Sequence, residues 1–169
     1  VNSCTAALHL SLICMNLKKG DEIITTPMTF ASTINSIVLA GAKPVLADIE
    51  KDTFNIDPKK IEEKITKKTK GIMIVHLAGL PCKINLIKKL AKKNRLFLIE
   101  DCAHSIESTY NKIPLGNFGI TGCFSFYSTK NLTTGEGGMI ISNNKKIADR
   151  LKLLRLHGLS KDAWKRNLP

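Results

Sequence analysis

The sequence predicts a three-layer α/β/α domain built on a mostly parallel sheet. Three observations lead there. Gly71-Ile72-Met73-Ile74-Val75 and Leu96-Phe97-Leu98-Ile99 are short, continuous apolar runs, the pattern of strands covered on both faces. Amphipathic stretches lie between such runs. In Ile84 to Lys93, for example, Lys88, Lys89, Lys92 and Lys93 are set against Leu86, Ile87, Leu90 and Ala91. Strand and helix patterns alternate along the chain, which favours crossover connections and a sheet with helices on both faces.

Taken in order, a first helix starts near Ser3 or Thr5, either of which can cap it, and runs to about Met15. Lys19-Gly20-Asp21 is a turn, and Glu22 to Thr25 a short strand ended by Pro27. Thr29 is expected to cap a helix from Phe30 to Ala40, which stops at Gly41. Pro44 to Ala47 reads as a strand and Asp48 to Asp57 as a loop. Pro58 suits the first position of a helix reaching Ile65. The buried strand at Gly71 to Val75, the helix at Ile84 to Lys93 and the strand ending in Glu100-Asp101 follow. Gly122 to Phe126 and Met139 to Ser142 are further strands, and Asn143 or Asn144 caps a last helix from Lys145 to Leu156. No internal repeat, low-complexity stretch or linker divides the chain, so one domain is expected.

The totals narrow the class. The chain has 169 residues, enough for one sizeable core. No apolar run is long enough to span a bilayer, and Val1 to Leu12 has no basic region ahead of an apolar one. A formal net charge of +12 raises the question of nucleic acid. The positive residues are mostly Lys, however, and they are spread along the chain, whereas bidentate readers of phosphates and bases favour Arg. A solvated polar face explains them better, and neither nucleic acid nor membrane is expected as a partner. The five cysteines form no CxxC pair and have no His at ligand spacing, so no metal site is expected. Their odd number, without a secretion signal, points to reduced thiols in a cytoplasm. The chain lacks an initiator Met and ends plainly at Asn167-Leu168-Pro169, so it is expected to be a piece of a longer protein.

In open α/β sheets, ligands bind beyond the carboxyl ends of the strands. Three groups lie at such places. Asp101, with His104 just after it, leaves a buried strand. It is either a helix cap or structural ion partner, or a carboxylate aimed at a cationic ring with His104 fixing its orientation. Lys130 ends Ser125-Phe126-Tyr127-Ser128-Thr129-Lys130 and precedes the glycine turn Gly135-Glu136-Gly137-Gly138. It is one surface Lys among many, or a nucleophilic amine set among hydroxyls. Ser3-Cys4-Thr5-Ala6-Ala7 opens the first helix, as a plain N-cap or as a seat for a phosphate. Together the three supply a phosphate seat, a carboxylate for a ring nitrogen and an amine for an aldehyde, which is what pyridoxal 5'-phosphate (PLP) requires of a protein.

At this point the sequence resembles the DegT-type sugar aminotransferases, PLP enzymes of the aspartate aminotransferase fold (fold type I). The likeness runs from Asn2-Ser3-Cys4-Thr5-Ala6-Ala7-Leu8 through Pro27-Met28-Thr29-Phe30 and Val75-His76-Leu77-Ala78-Gly79. It continues through Ile99-Glu100-Asp101-Cys102-Ala103-His104 and Phe124 to Gly138, and ends at Leu154-Arg155-Leu156-His157-Gly158. The resemblance implies that residues 1–169 are a partial large PLP-binding domain, lacking an N-terminal segment and a C-terminal small domain. It implies that Lys130 forms the Schiff base, that Asp101 pairs with the pyridinium nitrogen and that His104 sits near the ring. Phe30 would stack on the ring face, with a core Phe as the plain alternative. Cys4, Thr5, Ala6 and Ser125 would bind the phosphate; Cys4 stands where many relatives have Gly. His76 is read as a structural His at a strand end.

The reaction implied moves an amino group from glutamate to a nucleotide-linked keto sugar. The product would serve cell-surface polysaccharide or lipid sugar biosynthesis, and the enzyme would act as a homodimer. Leu156 to Trp164 points to the branch acting on 4-keto-6-deoxy sugars. Family members that are sugar dehydratases carry His in place of the Schiff-base Lys, and Lys130 argues against them. The alternative is a degenerate or regulatory member that binds PLP or sugar without turnover. An unrelated nucleotide-binding domain would show GxGxxG after its first strand, and none is present.

Overall fold

The computed structural model describes residues 1–159. The stretch Ser160 to Trp164, part of the segment tied to 4-keto sugars, lies outside the described residues, as do the last residues to Pro169.

Among the described residues, eight strands and five α-helices follow one another: α1 (Cys4–Ile13), β1 (Glu22–Thr25), α2 (Ala31–Leu39), β2 (Lys43–Leu46), α3 (Pro58–Lys64) and β3 (Thr69–Val75). After these come α4 (Ile84–Lys93), β4 (Phe97–Asp101), the two-residue strands β5 (Thr109–Tyr110) and β6 (Ile113–Pro114), β7 (Thr121–Ser125), β8 (Gly138–Ile141) and α5 (Lys145–Leu154). Six strands form one sheet in the order β2-β1-β3-β4-β7-β8. All neighbours are parallel except β7 and β8, which run antiparallel. The expected α/β class and mostly parallel sheet are therefore observed.

Alternation along the strands divides the core in two. Ile24, Ile72, Ile74, Leu98 and Phe124 face one side, where Ile61 of α3 and Ile84, Ile87 and Ala91 of α4 cover them. Ile23, Met73, Ile99 and Cys123 face the other, beneath Ala7, Leu8 and Leu12 of α1 and Ile37 of α2. Both faces are thus dry, which is why these strands read as unbroken apolar runs.

Two expectations change. Thr29 does not cap α2: Phe30 is the capping residue and makes no side-chain cap bond. The Thr29 hydroxyl instead meets that of Thr33 at 2.7 Å. The β5–β6 hairpin was not expected, and its turn residues Asn111 and Lys112 both have positive φ (50° and 64°). Only Asn111 advertises such a turn in sequence. Ser3 Oγ, Asp57 Oδ1 and Asn144 Oδ1 accept from the first turns of α1, α3 and α5, whereas Lys83 at the start of α4 makes no side-chain cap bond.

Candidate active site

Thr25, Val75, Asp101 and Ser125 end the parallel strands β1, β3, β4 and β7 along one edge of the sheet. Beyond that edge lies a cleft of about 460 Å³. Its walls include Cys4, Thr5, Phe30, Asp101, His104, Ser125 and Lys130, so seven of the eight expected site residues share it. Ala6 is not part of its wall.

Asp101 is 4 % exposed and closes β4. Its Oδ2 accepts from Thr33 Oγ1 at 2.8 Å and its Oδ1 from the Ala103 N–H at 3.1 Å. The Cys4 thiol, 3.9 Å from Oδ1, is directed at the same carboxylate. Burial pushes the Asp101 carboxyl up, while these donors and the charges of His104 and His76 pull the other way without cancelling it. The carboxylate makes no ion pair among the described residues. A buried acid held by neutral donors and open to a cleft is stabilised by a cation brought to it. His104 does not supply its orientation as expected; Thr33 and the Ala103 N–H do. His104 is exposed on the wall, and its pKa is lowered first by partial burial and then by Lys130, against the pull of Asp101.

Lys130 is half-buried, in the loop between β7 and β8. Its N–H donates to the Tyr127 carbonyl at 2.9 Å. The loop is cinched by Phe126, whose N–H donates to Gly137 O and whose carbonyl accepts from the Thr134 N–H and Thr133 Oγ1. Lys130 makes no ion pair among the described residues, in a chain where several other lysines do.

At the start of α1, Ser3 Oγ takes the Ala6 N–H at 3.2 Å and Ser3 O takes the Ala7 N–H. This corrects the expectation for Ala6, whose donor is already used by the cap. The N–H groups of Cys4 and Thr5 have no partner among the described residues, and both residues line the cleft at a helix start, where partial positive charge favours an anion. The Cys4 side chain, pointed at Asp101, adds no phosphate donor; burial holds its thiol well above the usual range, so it stays protonated. Ser125 Oγ accepts weakly from the Tyr127 N–H at 3.4 Å, which leaves its own proton to donate. Phe30, 79 % exposed at the head of α2, is a wall residue and not a core Phe.

His76 lines the cleft floor but is committed to the fold. Its Nδ1 accepts from the Cys82 N–H and its Nε2 lies 3.1 Å from Glu100 Oε2. His76, Glu100 and Cys102 bring ligand-type atoms within 4.8 Å of one another. The Glu100 oxygens, however, are already occupied by His76 and by the N–H groups of Gly116, Phe118 and Gly119. Sequence reasoning missed two residues, Thr33 and Asn55, since nothing next to them in the chain marks them.

The mostly parallel sheet with dry faces matches the fold of fold-type I aminotransferases. The chain belongs to the DegT/DnrJ/EryC1/StrS aminotransferase family, whose model matches residues 1–168. It is 54 % identical over 166 residues to protein MJ1066 of Methanocaldococcus jannaschii, and 48 % identical over 166 residues to SpsC of Bacillus subtilis, a spore coat polysaccharide biosynthesis protein. In each case the match covers 98 % of this chain and 43 % of the relative, so the chain spans less than half of these proteins. Among solved structures, the aminotransferase from Psychrobacter cryohalolentis superposes with a TM-score of 0.94 at 40 % identity, over 99 % of this chain and 43 % of its own. Spr1654 of Streptococcus pneumoniae, named as a sugar aminotransferase, superposes in its PMP form with a TM-score of 0.90 at 35 % identity, over 96 % and 46 %. It has also been solved in a PLP form. Among the described residues no helix is long and apolar enough to cross a membrane.

Proposed function

We propose that residues 1–169 supply the large domain of a PLP-dependent aminotransferase that moves an amino group from glutamate to a nucleotide-linked keto sugar. The observation that carries this reading is the convergence of Asp101, Lys130 and the first residues of α1 on one cleft. The chemistry of that donor set fits PLP, and the family and the PLP and PMP forms of Spr1654 support it. Lys130 Nζ would hold the cofactor through its aldehyde. Asp101 would keep a proton on the ring nitrogen, Phe30 would cover a ring face, and His104 would sit near the ring. The Cys4 and Thr5 N–H groups, with the Ser125 hydroxyl, would bind the phosphate.

Bound PLP supplies an electron sink, which lets an amine pass between carbon skeletons. The chain's part is to position and to move protons. Lys130 Nζ, once the donor's amine has displaced it from the cofactor, would take the proton at the donor's α-carbon and return it where the product requires. Asp101, buried and ionised against the ring cation, holds the charge that makes the sink effective.

A 4-keto-6-deoxy sugar as acceptor, use in surface polysaccharide or lipid, a homodimer and a cytoplasmic setting complete the proposal. The name of SpsC and that of Spr1654 support a sugar acceptor. The five unpaired, buried cysteines suit a reducing compartment. The test uses the full-length protein loaded with PLP. Glutamate alone should release one equivalent of 2-oxoglutarate, and a nucleotide-linked 4-keto-6-deoxy hexose should then appear as its amino sugar by mass spectrometry. Release of 2-oxoglutarate without amination of any keto sugar would contradict the acceptor. No release at all would favour a binding protein without turnover.

A further inference from the structure

We propose that Thr33 is a positioning residue for Asp101, fixing the plane of its carboxylate and lowering the cost of its charge. The proposal rests on the reading of Asp101 as partner of the cofactor's ring nitrogen. Thr33 is fully buried on α2 and lies 68 positions from Asp101 in sequence, yet its Oγ1 is 2.8 Å from Asp101 Oδ2.

The direction of the bonding follows from chemistry. An ionised carboxylate only accepts, so the single Thr33 hydroxyl proton goes to Oδ2. The Thr29–Thr33 contact at 2.7 Å must then be a donation by Thr29 to the Thr33 oxygen. A two-hydroxyl relay therefore runs from Thr29, on the cleft wall, through Thr33 to the acid. The other carboxylate oxygen is held by the Ala103 N–H and the Cys4 thiol. With donors on both oxygens, rotation of the carboxylate is restricted.

The bond is not what a helix makes by default. Inside helices, Ser and Thr commonly donate back to the carbonyl four residues earlier. Ser36 on the same helix does this, to Ser32 O at 2.6 Å. Thr33 gives its proton to another layer of the protein instead. The ionisable groups around Asp101 are His76 after β3, His104 after β4, Cys4 on α1, and Cys102 and Cys123 beside it. Lys130 in turn faces Cys4 and His104. Thr33 ranks first among the influences that favour the ionised form.

The experiment compares wild type, Thr33→Val and Thr33→Ser in the full-length protein. Val keeps the branched shape and removes the hydroxyl, while Ser restores it. The first readout is the Asp101 carboxyl titration in the cofactor-free protein, followed by carbon-13 NMR and assigned with Asp101→Asn. Thr33→Val should raise that titration and Thr33→Ser should return it towards wild type. The second readout is the PLP dissociation constant, expected to rise roughly tenfold in Thr33→Val and to recover in Thr33→Ser. An unchanged Asp101 titration in folded Thr33→Val overturns the proposal. If Thr33→Val does not fold, Thr33→Ala takes its place, and loss of fold in both assigns Thr33 to the core and overturns it equally. A shifted titration with no PLP bound by any form, wild type included, would leave the positioning role standing and remove the cofactor reading.

Discussion

His76 Nε2 lies 3.1 Å from Glu100 Oε2, and neither side chain has any exposed surface. The Cys82 N–H donates to His76 Nδ1, so Nε2 bears the proton and donates to Glu100. The remaining capacity of Glu100 takes the N–H groups of Gly116, Phe118 and Gly119. One carboxylate thus ties the end of β3 and the segment ahead of β7 to β4. Glu100→Ala would leave these donors buried without acceptors, and should cost about 3–5 kcal/mol in urea denaturation.

The same residue sets an acid limit. Burial pushes the Glu100 carboxyl up, but His76 and the Gly119 and Gly116 N–H groups outweigh it and hold it below the ordinary glutamate value of 4.5. A depressed folded pKa means that the unfolded chain binds more protons as pH falls. The stabilisation is therefore complete above pH 4.5 and is lost as pH drops through the folded value. Stability measured against pH should fall more steeply in wild type below that point than in Glu100→Gln, where Asp101 is unchanged. Parallel acid limbs would contradict this.

Gly138 begins β8 against the start of α1. A Cβ there would stand 2.4 Å from Ser3 C and 2.8 Å from the Cys4 N, and both are backbone atoms that cannot swing aside. Gly138→Ala should cost about 2–3 kcal/mol by displacing the helix start, and should weaken binding of PLP or inorganic phosphate. Gly135→Ala is the control: it has open space and φ of +80°, and should cost about 1 kcal/mol without altering anion affinity.

Asn55, 2 % exposed, accepts from the Leu77 N–H at 3.1 Å and donates to Leu80 O at 3.0 Å. It braces the turn that follows β3 and places Leu77 on the cleft wall. Asn55→Ala should cost about 2 kcal/mol. Hydrogen exchange should rise in residues 77–80 while β4 keeps its protection. Equal loss of protection in both would point to a global effect instead.

What could be read from the chain alone divides along physical lines. Strands β3 and β4 were legible because burial on both faces demands unbroken apolar runs, and α3 because Pro58 marks its start. The antiparallel direction of β8 left no mark, since Gly138 to Ile141 is apolar in either direction. The β5–β6 hairpin was hidden because Lys112 holds a left-handed conformation that its side chain does not signal. At the site, Asp101, Lys130 and the α1 start follow local rules about strand ends and helix caps. Thr33 does not: it meets Asp101 only through the crossing of α2 over the sheet. Thr29 looked like a cap because hydroxyls before helices usually are, and the nearby Thr33 oxygen took its bond instead.

The central claim, that Lys130 anchors PLP over Asp101, is tested most directly by borohydride reduction of the PLP-loaded full-length protein, followed by peptide mapping. The account predicts a single reduced PLP adduct on the peptide bearing Lys130, absent from Lys130→Ala. An adduct on another lysine, or an adduct that persists in Lys130→Ala, would contradict it.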